Sequence, residues 1–588
     1  MSSSRTTVGS GNDNGGSFLT TAMCLSAAVV TAAGVTSYAG GSGWWWQKNS
    51  KRRSTQNEKD TTKGANLPSS CIYLDYNGTT PIYDFVLDAM MPYLTTHYGN
   101  PSSSHCMGKE RKFFFVFHFY LFLLHESIIK HFSFGELNSQ FIFLCYLVCN
   151  FSCLWWDTKS LASISLSLSL SLSLSLSIVP SLFRLLSLHI ARRAINQARA
   201  SLLKLLGVSV PTPVPSNSNL LSTIWFTGCG TEADNLAIQL AIQCHSTQHK
   251  KHIVTSNVEH PAIELYLKHL LDVGVLDDVT FVPVNEDGIV DAKDMINAIK
   301  ENGETILVTL MLANNESGAL QPVKEVSMAC RERGVLFHTD AAQAAGKVSL
   351  HLENALGNPD MVSIVGHKIG AMKGIGALYV RDGCLDERSR KLPHDHGIMI
   401  IGGGQEFNKR AGTENTPSIV GFGVAAEYAQ KNLSKNAAHM EQMRSHLLSR
   451  LQEELDGVTN IGDDGDENAT SPNVRPNGPS DPALRLPNTL SVGFKNVHSG
   501  DLLSDIGHSV AASAGATCHG ANSVSSVLRA MKIPHEFARG TVRLSLGPTT
   551  TRDDIDRASV LISDGVRRQW ARQQANNGRK TSDVPVSQ

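Results

Sequence analysis

The chain has 588 residues, 52 lysines and arginines against 53 acidic residues, and 11 cysteines. That length supports two or more domains around a large core, and the balanced charge excludes a basic nucleic-acid-binding surface as the main business of the protein. The cysteines are scattered, which excludes a disulfide-stapled secreted scaffold and points to a reducing compartment such as the cytoplasm or an organelle.

Residues 1–66 are polar except for the uncharged block Phe18–Tyr38. Trp44, Trp45 and Trp46 follow, then Lys48, Lys51, Arg52 and Arg53. An apolar block with an aromatic and basic flank predicts a targeting segment or a membrane anchor, inside an otherwise disordered region. Residues 67–110 open the folded part. Residues 111–190 break the pattern: a phenylalanine run from Phe113 gives way to alternating Ser and Leu from Ser165 to Ser177. A TC dinucleotide repeat translates as alternating Ser and Leu, so we read this insertion as a translated intron. Removing it joins Met107–Glu110 to Ala191–Arg199 in one pattern of helical spacing. The rival reading is a membrane hairpin through Phe113–Leu124 and Phe141–Trp156, both short for spans. Cys145, Cys149 and Cys153 fall in this segment and are assigned no metal.

From 191 to about 430, strand-like runs alternate with helical patterns. The runs are Thr223–Phe226, His252–Thr255, the one beginning at Val279, Thr305–Thr309, Val335–Phe337, Met361–Val365 and Ala377–Val380. Alternation of this kind predicts a large doubly wound α/β domain, formed by 67–110 and 191–430. Thr459–Arg485 is rich in Gly, Asp, Asn and Pro and reads as a loop. Residues 431–570 mix both element types as a smaller α+β domain, and 571–588 read as a disordered tail.

Several strand ends carry residues with chemistry. Asp340 and Lys368 each lie just past a short apolar run, where open α/β sheets hold their ligands. A lysine able to form a Schiff base, with an acid to hold a pyridinium nitrogen, is the protein's side of pyridoxal phosphate chemistry; a helix cap and a surface lysine are the blander reading. Gly228–Asn235, with Gly230 and Thr231, sits between a strand and a helix and suits a phosphate, or else is an ordinary cap at Thr231. His260 follows another strand and can move protons near neutrality; His245, His249 and His252 are read as surface residues. Asn314 and Asn315 offer amides to a ring oxygen or a carboxylate, or form a turn. Cys518, in Gly515–Gly520, has small neighbours that leave its thiol accessible as a nucleophile. Arg543 is a planar fork suited to a carboxylate.

In order along the chain, Tyr73–Pro81, Tyr98–Ser102, Gly230–Glu232, Val258–His260, Ala313–Glu316, His338–Gln343, Gly366–Lys368 and Arg410–Thr416 resemble the class V aminotransferase-like cysteine desulfurases. The form around Cys518, with Gly402–Glu406, looks most like the selenocysteine lyases of that group. The resemblance implies a type I pyridoxal-phosphate-dependent transferase fold with a mixed sheet. It implies that Lys368 carries pyridoxal 5'-phosphate, Asp340 pairs with the ring nitrogen, and Gln343 and Asn315 contact the ring oxygen region. His260 would be the acid/base over the ring. Gly230, Thr231 and His367 would hold the phosphate, with Thr413 reaching it across a homodimer interface. Arg543 and Asn315 would hold the substrate, and Cys518 would attack or assist at sulfur or selenium, as acceptor or proton donor. The implied reaction is release of selenium from selenocysteine or, alternatively, of sulfur from cysteine to an acceptor protein, leaving alanine. A membrane-tethered, non-catalytic scaffold is the reading from a different class. Val365 stands where the family often has a hydroxyl.

Overall fold

The computed structural model describes residues 71–101, 190–214, 219–245, 250–301, 303–384, 398–456, 472–514 and 524–582. The apolar block 18–38, nearly all of the insertion, Cys518 and His249 lie outside them. Among the described residues no helix is long and apolar enough to cross a membrane.

After a short strand β1 (Ile72–Tyr73), seven strands build the main sheet: β2 (Ile224–Thr227), β3 (His252–Ser256), β4 (Asp278–Val282), β5 (Thr305–Thr309), β6 (Leu336–Asp340), β7 (Met361–Val365) and β8 (Gly376–Val380). Their spatial order is β2-β8-β7-β6-β5-β3-β4, with only β8 antiparallel to its neighbours. The apolar runs are buried on both faces because the pleat sends successive residues to opposite sides. Ile253, Leu307, Leu336, Met361 and Leu378 pack in one core with the helices Gly230–Cys244 and Pro261–Asp272. Their neighbours Val254, Val308, Phe337, Val362 and Tyr379 pack in a second core on the other face. This is the doubly wound mixed sheet that the alternating pattern predicts.

A second, antiparallel sheet has the order β12-β13-β10-β9, from β9 (Val474–Asn477), β10 (Thr489–Phe494), β12 (Ser513–Ala514) and β13 (Thr541–Ser545). Its core includes Val492, Val542, Leu447 and Ile562 from the long helices Leu433–Leu455 and Arg552–Ser582. The strand β1 pairs with β11 (Val510–Ala511) beside this core, so residues 71–80 run from one core to the other.

Three expectations need correction. The segment read as one loop to Arg485 contains β9, whose Pro476 is tolerated because β9 is an edge strand. The last helix extends to Ser582, into the segment expected to be disordered, helped by Trp570 donating to Lys495 O and Gln573 to Asn496 O. His252 and His245 are buried, not surface: the His252 ring lies between the Thr305 and Thr280 hydroxyls, and His245 reaches the Ala241 carbonyl. The helix 190–205 begins where the insertion ends.

Candidate active site

The parallel strands deliver their carboxyl ends to one edge: His260 follows β3, Asn315 follows β5, Asp340 ends β6 and Lys368 follows β7. Strand order reverses around β3, since β4 lies on one side of it and β5 on the other. That is the crevice where open α/β sheets bind ligands.

Lys368 closes a single 3-10 turn, Gly366–Lys368. Its Nζ donates to the main-chain carbonyls of Asn77 at 2.5 Å and Gly78 at 2.9 Å. Thr80 braces the turn, with its N–H on His367 O and its hydroxyl on Lys368 O. Burial, then the Arg543 charge, lowers the amine's pKa to about 8, against the pull of Asp340 and Asp75. More of it is therefore the free amine near neutral pH than of an ordinary lysine, and the free amine is the form that attacks a carbonyl.

Asp340 accepts from Ala342 N–H at 2.8 Å, and burial raises its pKa. His260 caps the helix Pro261–Asp272, its Nδ1 accepting from Ala262 N–H at 3.1 Å. A neutral His260 ring therefore carries its proton on Nε2. Desolvation lowers its pKa while Asp340 opposes the shift.

The cup expected to hold a phosphate is the start of the helix Gly230–Cys244. Cys229, not Thr231, is the cap, its Sγ accepting from Glu232 N–H at 3.4 Å. Thr231 is exposed, and the Gly230 and Thr231 amides lead the first intrahelical bond, Ala233 N–H to Cys229 O. A Cβ at Gly230 would sit 2.5 Å from Val365 Cγ2, so glycine lets the helix start close against β7. His367 is half-buried with Nδ1 3.2 Å from the Thr79 hydroxyl, and burial lowers its pKa to about 4.

Arg543 on β13 crosses from the second sheet. It donates to Asn315 O at 3.0 Å and pairs with Asp75 at 2.7 Å. Asn315 thus contributes its main-chain carbonyl as well as its half-buried side chain. Thr413 is exposed; three residues before it, Arg410 grips Glu232 at 2.7 and 3.1 Å. Among the described residues no hydrogen bond in this chain joins Thr413 to the cup. Cys518 lies outside the described residues; β12 ends at Ala514 with Ser513 opposite Arg543.

The centre of the site is a residue to which the sequence reading gave no role. Asn77 offers its carbonyl to Lys368 Nζ and to Gln343 Nε2, and its side chain bonds Asn315 O, Thr489 and Asn488. The signal lay in the motif Tyr73–Pro81, where an Asn-Gly turn follows a short strand. A Cβ at Gly78 would meet Asp75 Oδ2 at 2.3 Å, so the turn needs glycine to bring Asp75 to Arg543.

These residues fit pyridoxal phosphate. Gln343 Oε1 is buried with no hydrogen-bond partner, an end of the amide left for another group. Lys368 would hold the cofactor's aldehyde carbon, Asp340 its ring nitrogen, and the Gly230–Thr231 cup its phosphate, with Gln343 at the ring oxygen.

An aminotransferase class-V family model matches residues 193–558. Cysteine desulfurase from Nostoc sp. (strain PCC 7120) is 34% identical over 505 residues, covering 85% of this chain and 94% of its own. Cysteine desulfurase IscS from Clostridium botulinum (strain Hall) is 36% identical over 367 residues, 62% of this chain and 81% of its own. Among solved structures, a NifS-like protein matches with a TM-score of 0.57 and 27% identity, over 84% of this chain and 98% of its own.

Proposed function

The chain belongs to the class-V aminotransferase family, as a pyridoxal-phosphate-dependent enzyme of the cysteine desulfurase group, and from that premise we propose that it takes sulfur from L-cysteine and leaves L-alanine. The observation that carries the reading is the pairing of a half-buried, weakly basic Lys368 with relatives named cysteine desulfurase. The selenium specificity expected from Gly515–Gly520 rests on a loop outside the described residues, and the relatives favour sulfur.

The cofactor, when bound, supplies the electron sink that lets a Cα proton leave and the bond from Cβ to sulfur break. The chain's residues do the rest. Arg543 holds the substrate carboxylate in its fork, sharing or displacing Asp75. Lys368 would take the Cα proton, as a base whose pKa burial draws down to about 8. His260 exchanges protons through Nε2. The Cys518 thiolate attacks the substrate sulfur as the bond to Cβ breaks; Cβ takes a proton to become the alanine methyl, Cα regains the proton that Lys368 took, and Cys518 is left as a persulfide. An acceptor thiol then removes that sulfur. Thr413, exposed in its own chain, serves the phosphate cup of a second copy in a homodimer.

The test is turnover of L-cysteine and L-selenocysteine by wild type and Cys518→Ala, with persulfide on Cys518 read by mass spectrometry. The expected result is alanine from cysteine, a Cys518 persulfide, and loss of cysteine turnover in the variant. A chain that releases alanine from selenocysteine alone, and keeps doing so as Cys518→Ala, overturns the sulfur assignment.

A further inference from the structure

Beneath the site, on the sheet face that carries the helix Gly230–Cys244, lies a polar group to which the reaction above assigns nothing. His338 and Asp340 share one face of β6, two residues apart, and Ser363 on the neighbouring β7 is the register partner of Asp340. His338 is fully buried, its Nδ1 2.9 Å from the Thr309 hydroxyl and its Nε2 2.9 Å from the Ser363 hydroxyl. Asp234 comes down onto this group from the helix. It is 3% exposed, and its Oδ1 is 3.8 Å from His338 Nε2, with no hydrogen-bond partner.

An ionised carboxylate can accept several hydrogen bonds and is costly to bury without them or an opposing cation. Here the nearest base, His338, has both nitrogens engaged by hydroxyls, and burial lowers its pKa to about 3. The other charges that reach Asp234 are negative: Asp340 and Glu259 both disfavour a second anion, and only the Ser363 hydroxyl favours one. Asp234 is the fifth residue of its helix, past the first turn where the helix dipole helps an anion most.

The geometry points to Asp234 as a positioning residue that carries a proton beneath the site, so that Asp340 is left as the negative charge opposite the ring nitrogen. Asp234, Ser363 and neutral His338 form an uncharged floor, and the negative charge at this edge is concentrated on the acid that faces the cofactor. That role for Asp340 rests on the functional reading above, but the proton on Asp234 does not.

Infrared difference spectroscopy on the cofactor-free chain tests it, comparing wild type with Asp234→Asn at pH 7. The expected difference is loss of the carbonyl stretch of a protonated carboxyl. A lost carboxylate stretch instead means an ionised Asp234 paired with a charged His338, and overturns the proposal. A second arm reads pyridoxal phosphate itself. Asp234→Asn, the neutral isostere, is expected to keep the affinity within about twofold and the pH midpoint of the bound cofactor's visible band unmoved. Asp234→Ala leaves Ser363 with His338 as its remaining partner and is expected to bind at least about fivefold more weakly, the scale of one lost hydrogen bond, while its cofactor-free melting shows a folded chain. An Ala variant that binds as wild type, or an Asn variant whose midpoint moves, removes Asp234 from any role toward Asp340. If Lys368→Ala abolishes no visible band, the functional reading fails by itself, and the infrared result still stands.

Discussion

On the helix side of the sheet edge the site buries acids, Asp234, Glu259 and Asp340; toward residues 73–80 it gathers bases, the buried Lys347 and the half-buried Lys368 and Arg543. Desolvation acts on both groups and always against the charged form. It raises the Glu259 pKa to about 8 and lowers those of Lys347 and Lys368 to about 7 and 8. The difference lies in Arg543, which cannot give up its proton at any ordinary pH. Arg543 is also the one of these six held in an ion pair closer than 3 Å, with Asp75. Burial draws the groups that can neutralise toward their uncharged forms, with Asp340 the acid proposed to keep its charge, whereas the one that cannot neutralise is paired with Asp75.

The sharpest way to break this comparison is to remove a base's ability to neutralise. Lys368→Arg keeps a cation in the same turn but fixes its charge, so it is expected to be as inactive as Lys368→Ala. Both should lose at least about 10³-fold in kcat, since nucleophile and base go together. Single-turnover alanine formation measures it, and an arginine variant within tenfold of wild type would show that neutralisation is not the property that matters.

A smaller effect is expected at the permanent charge. Arg543→Lys replaces a fork by a point charge, leaving Asn315 O and Asp75 to be served by one ammonium. KM for cysteine should rise about 10- to 100-fold, or about 1.4–2.8 kcal/mol, with kcat within a few-fold. A fall in kcat at unchanged KM would place Arg543 in the chemical step instead.

The seven strands of the main sheet were legible because buried parallel strands are short apolar runs bounded by polar residues, and their carboxyl ends then located Asp340, Lys368 and His260. What was not legible depends on contacts far apart in sequence. Asn77 and Asp75 acquire their roles only when residues 71–80 lie between the two cores, beside Arg543 more than four hundred positions later. His252 reads as polar and exposed until Thr280 and Thr305 arrive from two other strands to satisfy its ring. Glu259 stood in plain view next to His260. Its carboxyl accepts from Ser256 and from Met311 N–H, tying the end of β3 to the end of β5, a pairing that no local pattern encodes.

Glu259 also gives a test on stability rather than rate. Its folded pKa, about 8, lies above the ordinary 4.5. Between those values the folded chain holds a proton that the unfolded chain has released, so stability falls as pH rises through that window. Lys347 acts in the opposite sense: from about 7 up to its ordinary 10.5 the unfolded chain holds the extra proton, and stability rises with pH. Glu259→Gln should therefore flatten the decline in melting temperature of the cofactor-free chain between pH 4.5 and 8 and leave the alkaline side unchanged. An unaltered acid limb would mean that Glu259 is ionised at neutral pH.

The smallest effect concerns the cup rather than the charges around it. Val365 is buried with its Cγ2 against Gly230, where a hydroxyl would face the start of the helix Gly230–Cys244, the proposed phosphate cup. Val365→Thr keeps the branched shape and adds one donor, at the cost of a buried hydroxyl while the cup is empty. A phosphate that accepts from it should tighten cofactor binding by about fivefold, the scale of one net hydrogen bond, while the cofactor-free chain melts slightly lower. Titration with pyridoxal phosphate, followed by its visible band, separates the two terms. Weaker binding alongside a lower melting temperature would mean that the methyl against Gly230 matters more to the cup than any hydroxyl placed there.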